Sequence, residues 1–365
     1  IPMKVLSGLG SVDSAEPSFV LWDISRKVRN SGLPTSEFDS GVEGLLNRLD
    51  SLDDLDVTDF LNDWNDFIFR FGCRGPNEWE VSANSWETKP ELALALLDRV
   101  RLQDDSEAPE IRQSAKTAER QEVIASIRAT LAEMGNEELI GMFEGALVAG
   151  NMMEFRERTK TNLVRVINES RVIFYELGNR MAAEGHLEEP AHIFMLLDEE
   201  LESFVSNPSD FTQQLAKRAS DYEQLWTIEP PFFVKNGVVP PMTEWEVRGD
   251  DEMEAASVGE VLQGVPGCPG TYRGKARVVT DPSDPRGLEP GEILIAPLTD
   301  PAWTPLFMTA GAVVVNVGGQ ISHAVIVSRE LGLPCVVAAT DATKRIPDGA
   351  EIEVNGDTGQ VTLVS

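Results

Sequence analysis

Residues 312–339 read AVVVNVGGQISHAVIVSRELGLPCVVAA. Ala312–Val317 is an apolar, β-branched run of the kind that fills a buried strand. The pair Gly318–Gly319 ends it. Gln320, Ile321, Ser322 and His323 follow, then an amphipathic stretch to about Leu331, a stop at Gly332 and Pro334, and a second apolar run. The pattern predicts strand, turn, helix and strand, a βαβ unit of ordinary size.

The position of His323 carries chemical meaning. Ser322 is a residue type that caps helices, so His323 falls in the first turn, beside unpaired backbone N–H groups and the positive end of the helix dipole. Such a turn receives anions, and the two glycines let backbone approach a phosphate. A neutral imidazole, with an ordinary pKa of about 6.5, is a competent nucleophile near neutrality. His323 is therefore a candidate for covalent phosphorylation, with Gly318, Gly319 and Ser322 positioning the phosphate. On spacing alone a plainer reading stays open, a tight βα turn whose histidine faces solvent.

Gly318-Gly319-x-x-Ser322-His323-Ala324, followed by Ile326-Val327-x-Arg329-Glu330-Leu331-Gly332-x-Pro334, resembles the phosphohistidine signature of the phosphoenolpyruvate-utilising (dikinase) enzymes. Ile321 departs from it, since Thr is more usual there. The resemblance implies that His323 carries a phosphoryl group between two separate active sites. Gly264–Gly270 and Thr299-Asp300-Pro301-Ala302-Trp303-Thr304-Pro305 also resemble the mobile phosphohistidine domain of that family, with Cys268 where Ser is more usual. Cys268 is read as a packing residue, not a nucleophile.

The whole chain has 365 residues, enough for two or three domains with sizeable cores. Its formal charge of −30 argues against nucleic acid and anionic membrane surfaces, which favour Lys/Arg excess. From Gly264 onward there are 7 Lys/Arg and 11 Asp/Glu, so most of the acidity precedes that point, where it reads as solvated helix faces. Cys73, Cys268 and Cys335 are far apart in sequence and lack metal-ligand spacing, which suits a reduced cytoplasm. No apolar run reaches the length of a membrane span, and the start has no signal-peptide shape. The first residue is not Met, which fits processing, trimming or excision from something longer.

Up to about Trp226 the pattern is almost wholly helical. Val20, Trp22, Ile24 and Val28 begin it; Phe60, Leu61, Trp64, Phe67, Ile68 and Phe71 continue at threes and fours. Helices are expected over Pro90–Leu102, Ser114–Met134 and Glu137–Glu184. In the last, Phe155, Thr159, Leu163, Val166, Ile167, Ser170, Ile173, Phe174, Leu177 and Met181 are expected to hold one face, with Gly145 and Gly150 breaking or bending it. Between the helices, residues 70–80 form a Gly/Pro loop that brings together Arg74, Glu78, Trp79 and Glu80. Arg74 could meet a phosphate and Trp79 stack on a ring. Equally, an Arg–Glu pair could simply fix the connection. Arg156, Glu157, Arg158, Lys160 and Arg165 read as a solvated helix face, with a phosphate-facing role as the alternative. His186 and His192 flank a proline and match no helical ligand pair, so they read as exposed or capping groups; no metal site is expected.

Gly8–Ser14 leading into Leu21-Trp22, the Arg74–Glu80 loop and His186–Leu201 are similar to the substrate-binding domain of the rifampicin phosphotransferase and aryl dikinase group. Proline pairs at 230–231 and 240–241 close this region. Residues 248–263 read as an acidic linker, which could span at most roughly 50 Å. From Gly264 the period changes: Lys275–Thr280, Glu292–Ala296, Ala312–Val317, Cys335–Ala339, Glu351–Val354 and Gln360–Val364 are expected strands. The expected architecture is multidomain, α plus α/β. A helical acceptor-binding domain over residues 1–247 precedes the linker and a swivelling β/β/α phosphohistidine domain over 264–365.

No glycine-rich phosphate loop is apparent. The resemblance then implies an ATP-grasp-type nucleotide-binding chain, or a lost N-terminal segment, that supplies ATP and Mg²⁺ at the charging step; neither is expected on this chain alone. Nothing after Ser365 resembles the pyruvate-handling barrel. The expectation is a dikinase-type phosphotransferase subunit, like split phenol or hydroxyacetophenone dikinases, that phosphorylates a small aromatic hydroxyl through His323, with substrate contacts from Arg74, Glu78 and Trp79. The alternatives are a rifamycin phosphotransferase fragment and a non-catalytic phosphocarrier or regulatory module.

Overall fold

The computed structural model describes residues 5, 13, 15–231, 234–248, 253–281, 288–300 and 303–365. It divides into two compact units. The first comprises Ile1–Trp79, Ala83–Arg165 and Ala255–Ser365; the second comprises Glu80–Ser82 and Val166–Glu254. The early helices and the C-terminal strands thus share one unit, whereas sequence periodicity places a boundary at 248–263. Of that expected linker, 249–252 lie outside the described residues. Residues 261–263 already form a strand, and Ala256 N–H bonds the Arg345 carbonyl.

The first unit begins with α1 (Glu16–Asn30), α2 (Gly32–Asp39), α3 (Leu45–Asp50), α4 (Leu55–Phe71), α5 (Glu91–Arg101) and α6 (Pro109–Met134). Local chemistry sets their ends. In α1, Pro17 sits in the first turn with Glu16, while Lys27 and Arg29 sit in the last. In α4, the Asp54 side chain accepts from Val57 N–H at 3.1 Å. Val57, Phe60, Trp64, Phe67 and Phe71 then fall on one buried stripe, as the spacing predicts. Their rings stack in series: Trp64 on Phe67 at 5.5 Å between centroids, and Phe67 on Trp86 at 5.6 Å.

The long helix α7 (Glu137–Ala183) runs unbroken through Gly145 and Gly150, contrary to the expected break. A Cβ at Gly145 would meet nothing within 4 Å, so this glycine answers no packing demand. The apolar face read over 155–181 divides: Phe174, Leu177 and Met181 pack against a core, but its earlier part does not. Phe155, Leu163, Val166 and Ile173 are exposed, whereas Glu157, Thr161, Val164, Asn168 and Arg171 are buried. That inner stripe keeps helical spacing but is mostly polar, because its ions and amides find partners inside the protein.

The C-terminal strands are β3 (Val261–Gln263), β4 (Val265–Cys268), β5 (Thr271–Val278), β6 (Ile293–Ala296), β7 (Ala312–Val315), β8 (Cys335–Val337), β9 (Glu351–Asn355) and β10 (Gln360–Leu363). They form one mixed sheet in the order β3-β10-β9-β5-β6-β7-β8-β4, in which β5, β6, β7 and β8 run parallel. Helix α10 (Thr304–Thr309) leads into β7, α11 (His323–Leu331) joins β7 to β8, and α12 (Ala342–Arg345) follows β8. Alternation sorts the side chains. Ile293, Ile295, Ala312, Val314 and Val336 pack on one sheet face. Leu294, Ala296, Val313, Val315 and Val337 face the other way and share a buried cluster with Trp303, Leu306 and Phe307 and with Leu21, Phe60, Trp64 and Leu97 of the helices.

In the second unit, α8 (Leu201–Ser206) and α9 (Thr212–Leu225) surround a small core of Leu187, Ile193, Phe204 and Leu215, and β1 (Ile228–Glu229) pairs antiparallel with β2 (Glu246–Val247). His186 closes the end of α7 through its backbone N–H on the Met181 carbonyl at 2.8 Å, and its ring Nδ1 lies 2.8 Å from Ser209 Oγ. This is the capping role read in the sequence. Among the described residues no helix is long and apolar enough to cross a membrane.

Candidate phosphohistidine site

The βαβ unit read from residues 312–339 is present, with β7 and β8 parallel neighbours and His323 opening α11 at the sheet end where β7 finishes. The turn between them is tied down at its start. Val317 N–H bonds the Pro297 carbonyl at 3.0 Å, and the Asn316 side chain exchanges bonds with Thr343 at 2.7 and 3.0 Å. Gly318 is a true close approach: a Cβ there would lie 3.1 Å from Val337 Cβ and 3.2 Å from Ser322 Oγ. Gly319 differs, since a Cβ there would meet nothing within 4 Å. The fold does not demand glycine at 319, and the space beside its backbone is open.

Ser322 occupies the N-cap position with extended backbone, but its hydroxyl makes no capping bond. Its Oγ is buried without a partner, turned toward Gly318. The expected side-chain cap is therefore absent. An orphan hydroxyl stands instead one residue before His323.

The His323 ring is clamped by two threonines. Nδ1 lies 3.2 Å from Thr299 Oγ1 and Nε2 lies 3.1 Å from Thr304 Oγ1. In a neutral imidazole one nitrogen donates and the other accepts, so one threonine accepts and the other donates. Phe307 meets the ring edge-on at 5.8 Å. Burial holds the imidazole pKa well below its ordinary value, and the positive charges of Lys160, Arg74 and Arg156 push it the same way. The ring is therefore neutral at pH 7, and its one nitrogen lone pair accepts from a threonine hydroxyl.

Those cations come from the helical segment of the same unit. Arg74 is buried in the 70–80 loop, whose tight path rests on Gly75: a Cβ there would lie 2.4 Å from the Asn84 carbonyl oxygen. Arg74 Nη1 pairs with Glu78 Oε2 at 3.1 Å, and its Nη2 donates to Thr161 Oγ1 at 2.8 Å. Lys160 Nζ reaches Glu78 Oε1 at 3.3 Å and lies 5.9 Å from the centre of the Trp79 ring. Arg156 pairs with buried Glu157. Glu78 thus balances two cations, and Trp79 remains 49% exposed. The simple Arg–Glu connection read as an alternative does form, yet the charge of Arg74 also acts on His323. The reading of 156–165 as a purely solvated face is corrected at Lys160 and Glu157, which lie inward.

Thr299 and Thr304 are not distinguished as site residues by sequence, while for Arg156 and Lys160 a phosphate-facing role is only the alternative reading there. The two threonines lay within the 299–305 stretch, whose pattern was visible but whose geometry was not. Cys268 and Cys335, far apart in sequence, stand opposite one another where β4 and β8 pair. Burial raises their thiols to about 11 and about 12 respectively, which suits a packing role.

Residues 288–359 match the family described as PEP-utilising enzyme, mobile domain, and residues 3–157 match the rifampicin phosphotransferase fourth domain. An uncharacterised protein of Mycobacterium tuberculosis is 34% identical over 295 residues, covering 80% of this chain and 30% of that protein. A rifampicin phosphotransferase of Streptomyces sviceus is 28% identical over 99% of this chain and 41% of its own length. Another, of Bacillus subtilis, is 27% identical over 82% of this chain and 34% of its own length. The chain thus spans well under half the length of each of these relatives. It is similar to the PEP-utilising mobile domain over residues 288–359 and to the rifampicin phosphotransferase fourth domain over residues 3–157.

Proposed function

We propose that the chain is the phosphoryl-carrying and acceptor-binding part of a dikinase-type phosphotransferase, with His323 as the carrier. One observation supports this most: a neutral imidazole, clamped by Thr299 and Thr304, lies under the positive charges of Arg74, Lys160 and Arg156. Charging forms a P–N bond between a ring nitrogen and the incoming phosphorus while the donor P–O bond breaks, its electron pair leaving with the donor. Transfer reverses the sense. The acceptor oxygen attacks phosphorus, the P–N electron pair returns to the ring, and the hydroxyl proton passes to water. Negative charge spread over the phosphoryl oxygens is met by the three cations, so placement and charge neutralisation are this chain's contribution.

ATP would be bound by an ATP-grasp-type partner chain or by another part of a longer protein. Among the described residues no three His, Cys, Asp or Glu side chains converge as ligands of an ion. The Mg²⁺ that charging implies would come with the ATP-binding part, and no step at His323 is routed through it. Half-exposed Trp79 beside Lys160 favours a small aromatic hydroxyl as acceptor, through stacking on the ring. The names of the Streptomyces and Bacillus relatives favour a second reading, a rifamycin hydroxyl.

The test uses phosphoramidate, which donates phosphate to histidine without a partner. The intact chain should gain an acid-labile, base-stable phosphate on His323, located by mass spectrometry under alkaline conditions. The isolated phosphorylated chain should then lose it faster on adding phenol or a rifamycin, and the faster of the two identifies the acceptor class. Phosphate on Ser322, or on no residue of this turn, overturns the carrier reading. A label unmoved by either hydroxyl compound leaves a phosphocarrier without this acceptor chemistry.

A further inference from the structure

Arg329 lies in the last turn of α11, yet its side chain runs back along the helix toward the turn that precedes His323. It is only 4% exposed. Its Nε donates to the Gly267 carbonyl at 3.1 Å, its Nη1 to the Gln320 carbonyl at 3.1 Å, and its Nη2 to Gln320 Oε1 at 2.6 Å. Gln320 completes the circuit by donating its Nε2 to the Pro266 carbonyl. Two arms of one guanidinium thus grip a single residue, main chain and side chain together, while the third bond and the Gln320 amide anchor both to strand β4.

No carboxylate pairs with Arg329 among the described residues; its partners are all neutral oxygens. Burial accordingly pulls its pKa below the ordinary value. A buried cation without a counter-ion is costly, and an apolar side chain of similar volume would serve packing at least as well. What an apolar residue lacks is the fixed fork of donors. The fork is spent on Gln320, three residues before His323, and the stiffness of the turn carries it onward: Ser322 N–H bonds the Gly319 carbonyl at 2.9 Å, and Ile326 N–H bonds the Ser322 carbonyl at 3.0 Å.

We infer that Arg329, acting through Gln320, is a positioning residue for phosphoryl transfer: it locks the 318–322 turn against β4 and so holds the His323 ring between Thr299 and Thr304. This rests on the reading of His323 as the carrier. The brace itself is a statement about the ring and can be tested apart from phosphate.

Gln320 is exposed and lies outside helix and strand, so Gln320→Ala removes both side-chain bonds of the grip, leaving only the main-chain one, with little threat to folding. Arg329→Lys keeps a charge but loses the fork. In the intact chain, phosphoramidate labelling of His323 should slow at least tenfold in Gln320→Ala, with an unchanged melting temperature and unchanged labelling of His186 in the second unit. Arg329→Lys should slow it similarly, and the double variant should be no slower than the single ones. Nuclear magnetic resonance of the His323 ring should show an altered tautomer balance in both variants. Parental labelling and a parental ring spectrum in Gln320→Ala would overturn the brace, as would an Arg329→Lys variant that melts earlier but labels at the parental rate. If the parent takes no phosphate on His323, the carrier reading fails. The ring spectrum then decides the brace by itself: an altered tautomer balance in Gln320→Ala upholds it, and an unchanged one overturns it.

Discussion

Replacing Glu78 by glutamine tests the charge arrangement beneath the site. The substitution keeps the shape and one accepting oxygen but removes the negative charge that faces Arg74 at 3.1 Å and Lys160 at 3.3 Å. Both Glu78 and Arg74 are almost wholly shielded from water, so neither cation can recover its balance from solvent. Removing one partner of a buried pair costs about 3–5 kcal/mol, because the other charge is left uncompensated. For a chain of this size that corresponds to a fall in melting temperature of about 4–7 °C. The control is Glu144→Gln, whose partner Arg128 is solvent-exposed and which should melt as the parent does. Thermal unfolding by circular dichroism, with urea titration as a second measure, gives the comparison. The uncovered cations should also favour the neutral ring further, so His323 should stay unprotonated to lower pH in Glu78→Gln. If Glu78→Gln behaves like Glu144→Gln in stability and leaves the His323 titration unmoved, the reasoning about an enclosed, balanced cation pair is refuted.

Acid should act on the fold through His323. Its folded pKa is depressed, so the unfolded chain takes up the proton first; this part of the stability is intact above about pH 6.5 and is lost as pH falls below it. Urea midpoints measured at pH 7.5 and 5.0 should therefore differ less in His323→Gln than in the parent, and an equal loss in both would count against burial of the ring. Thr304→Val should cost about 1 kcal/mol for the lost bond and slow phosphoramidate labelling of His323, a parental rate showing that the threonine does not orient the ring. Cys268 and Cys335, raised to about 11 and about 12, should resist Ellman's reagent at pH 8 until the chain is denatured; prompt reaction of the native protein would contradict their burial.

The βαβ unit was legible because Ala312–Val317, Gly318, Ser322 and Gly332 punctuate it with apolar runs and turn residues. Strands β3 and β4 were not, because Val261–Cys268 is short and interrupted by Gly and Pro, and only pairing with β10 and β8 makes it extended. Helix α7 misled for a different reason. The rule that apolar residues face inward assigns its outer stripe to a core, while Glu157, Thr161, Asn168 and Arg171 are buried by partners that no helical periodicity reveals. Ser322 sits where a cap belongs, but sequence cannot say which way a hydroxyl turns. Thr299 and Thr304 meet His323 only after β6, α10 and α11 are folded together, so their spacing carried no sign of a clamp.

The apolar cluster that joins the sheet to the early helices bears on when His323 can be seen by anything else. Trp303, Leu306 and Phe307 are buried beside the ring-bearing turn and against helical side chains. Wetting three such residues would cost on the order of 5–9 kcal/mol. Spontaneous opening on that scale is a rare sub-global event, populated below about one molecule in a thousand, and native-state hydrogen exchange would report it as a cooperative loss of protection in α10 and α11 ahead of global unfolding. A donor of phosphate that waited for bare opening would therefore be slow. If His323 is the carrier, as proposed, efficient charging calls for a visitor whose own surface replaces the covering helices, so that one apolar contact is exchanged for another and water never occupies the gap.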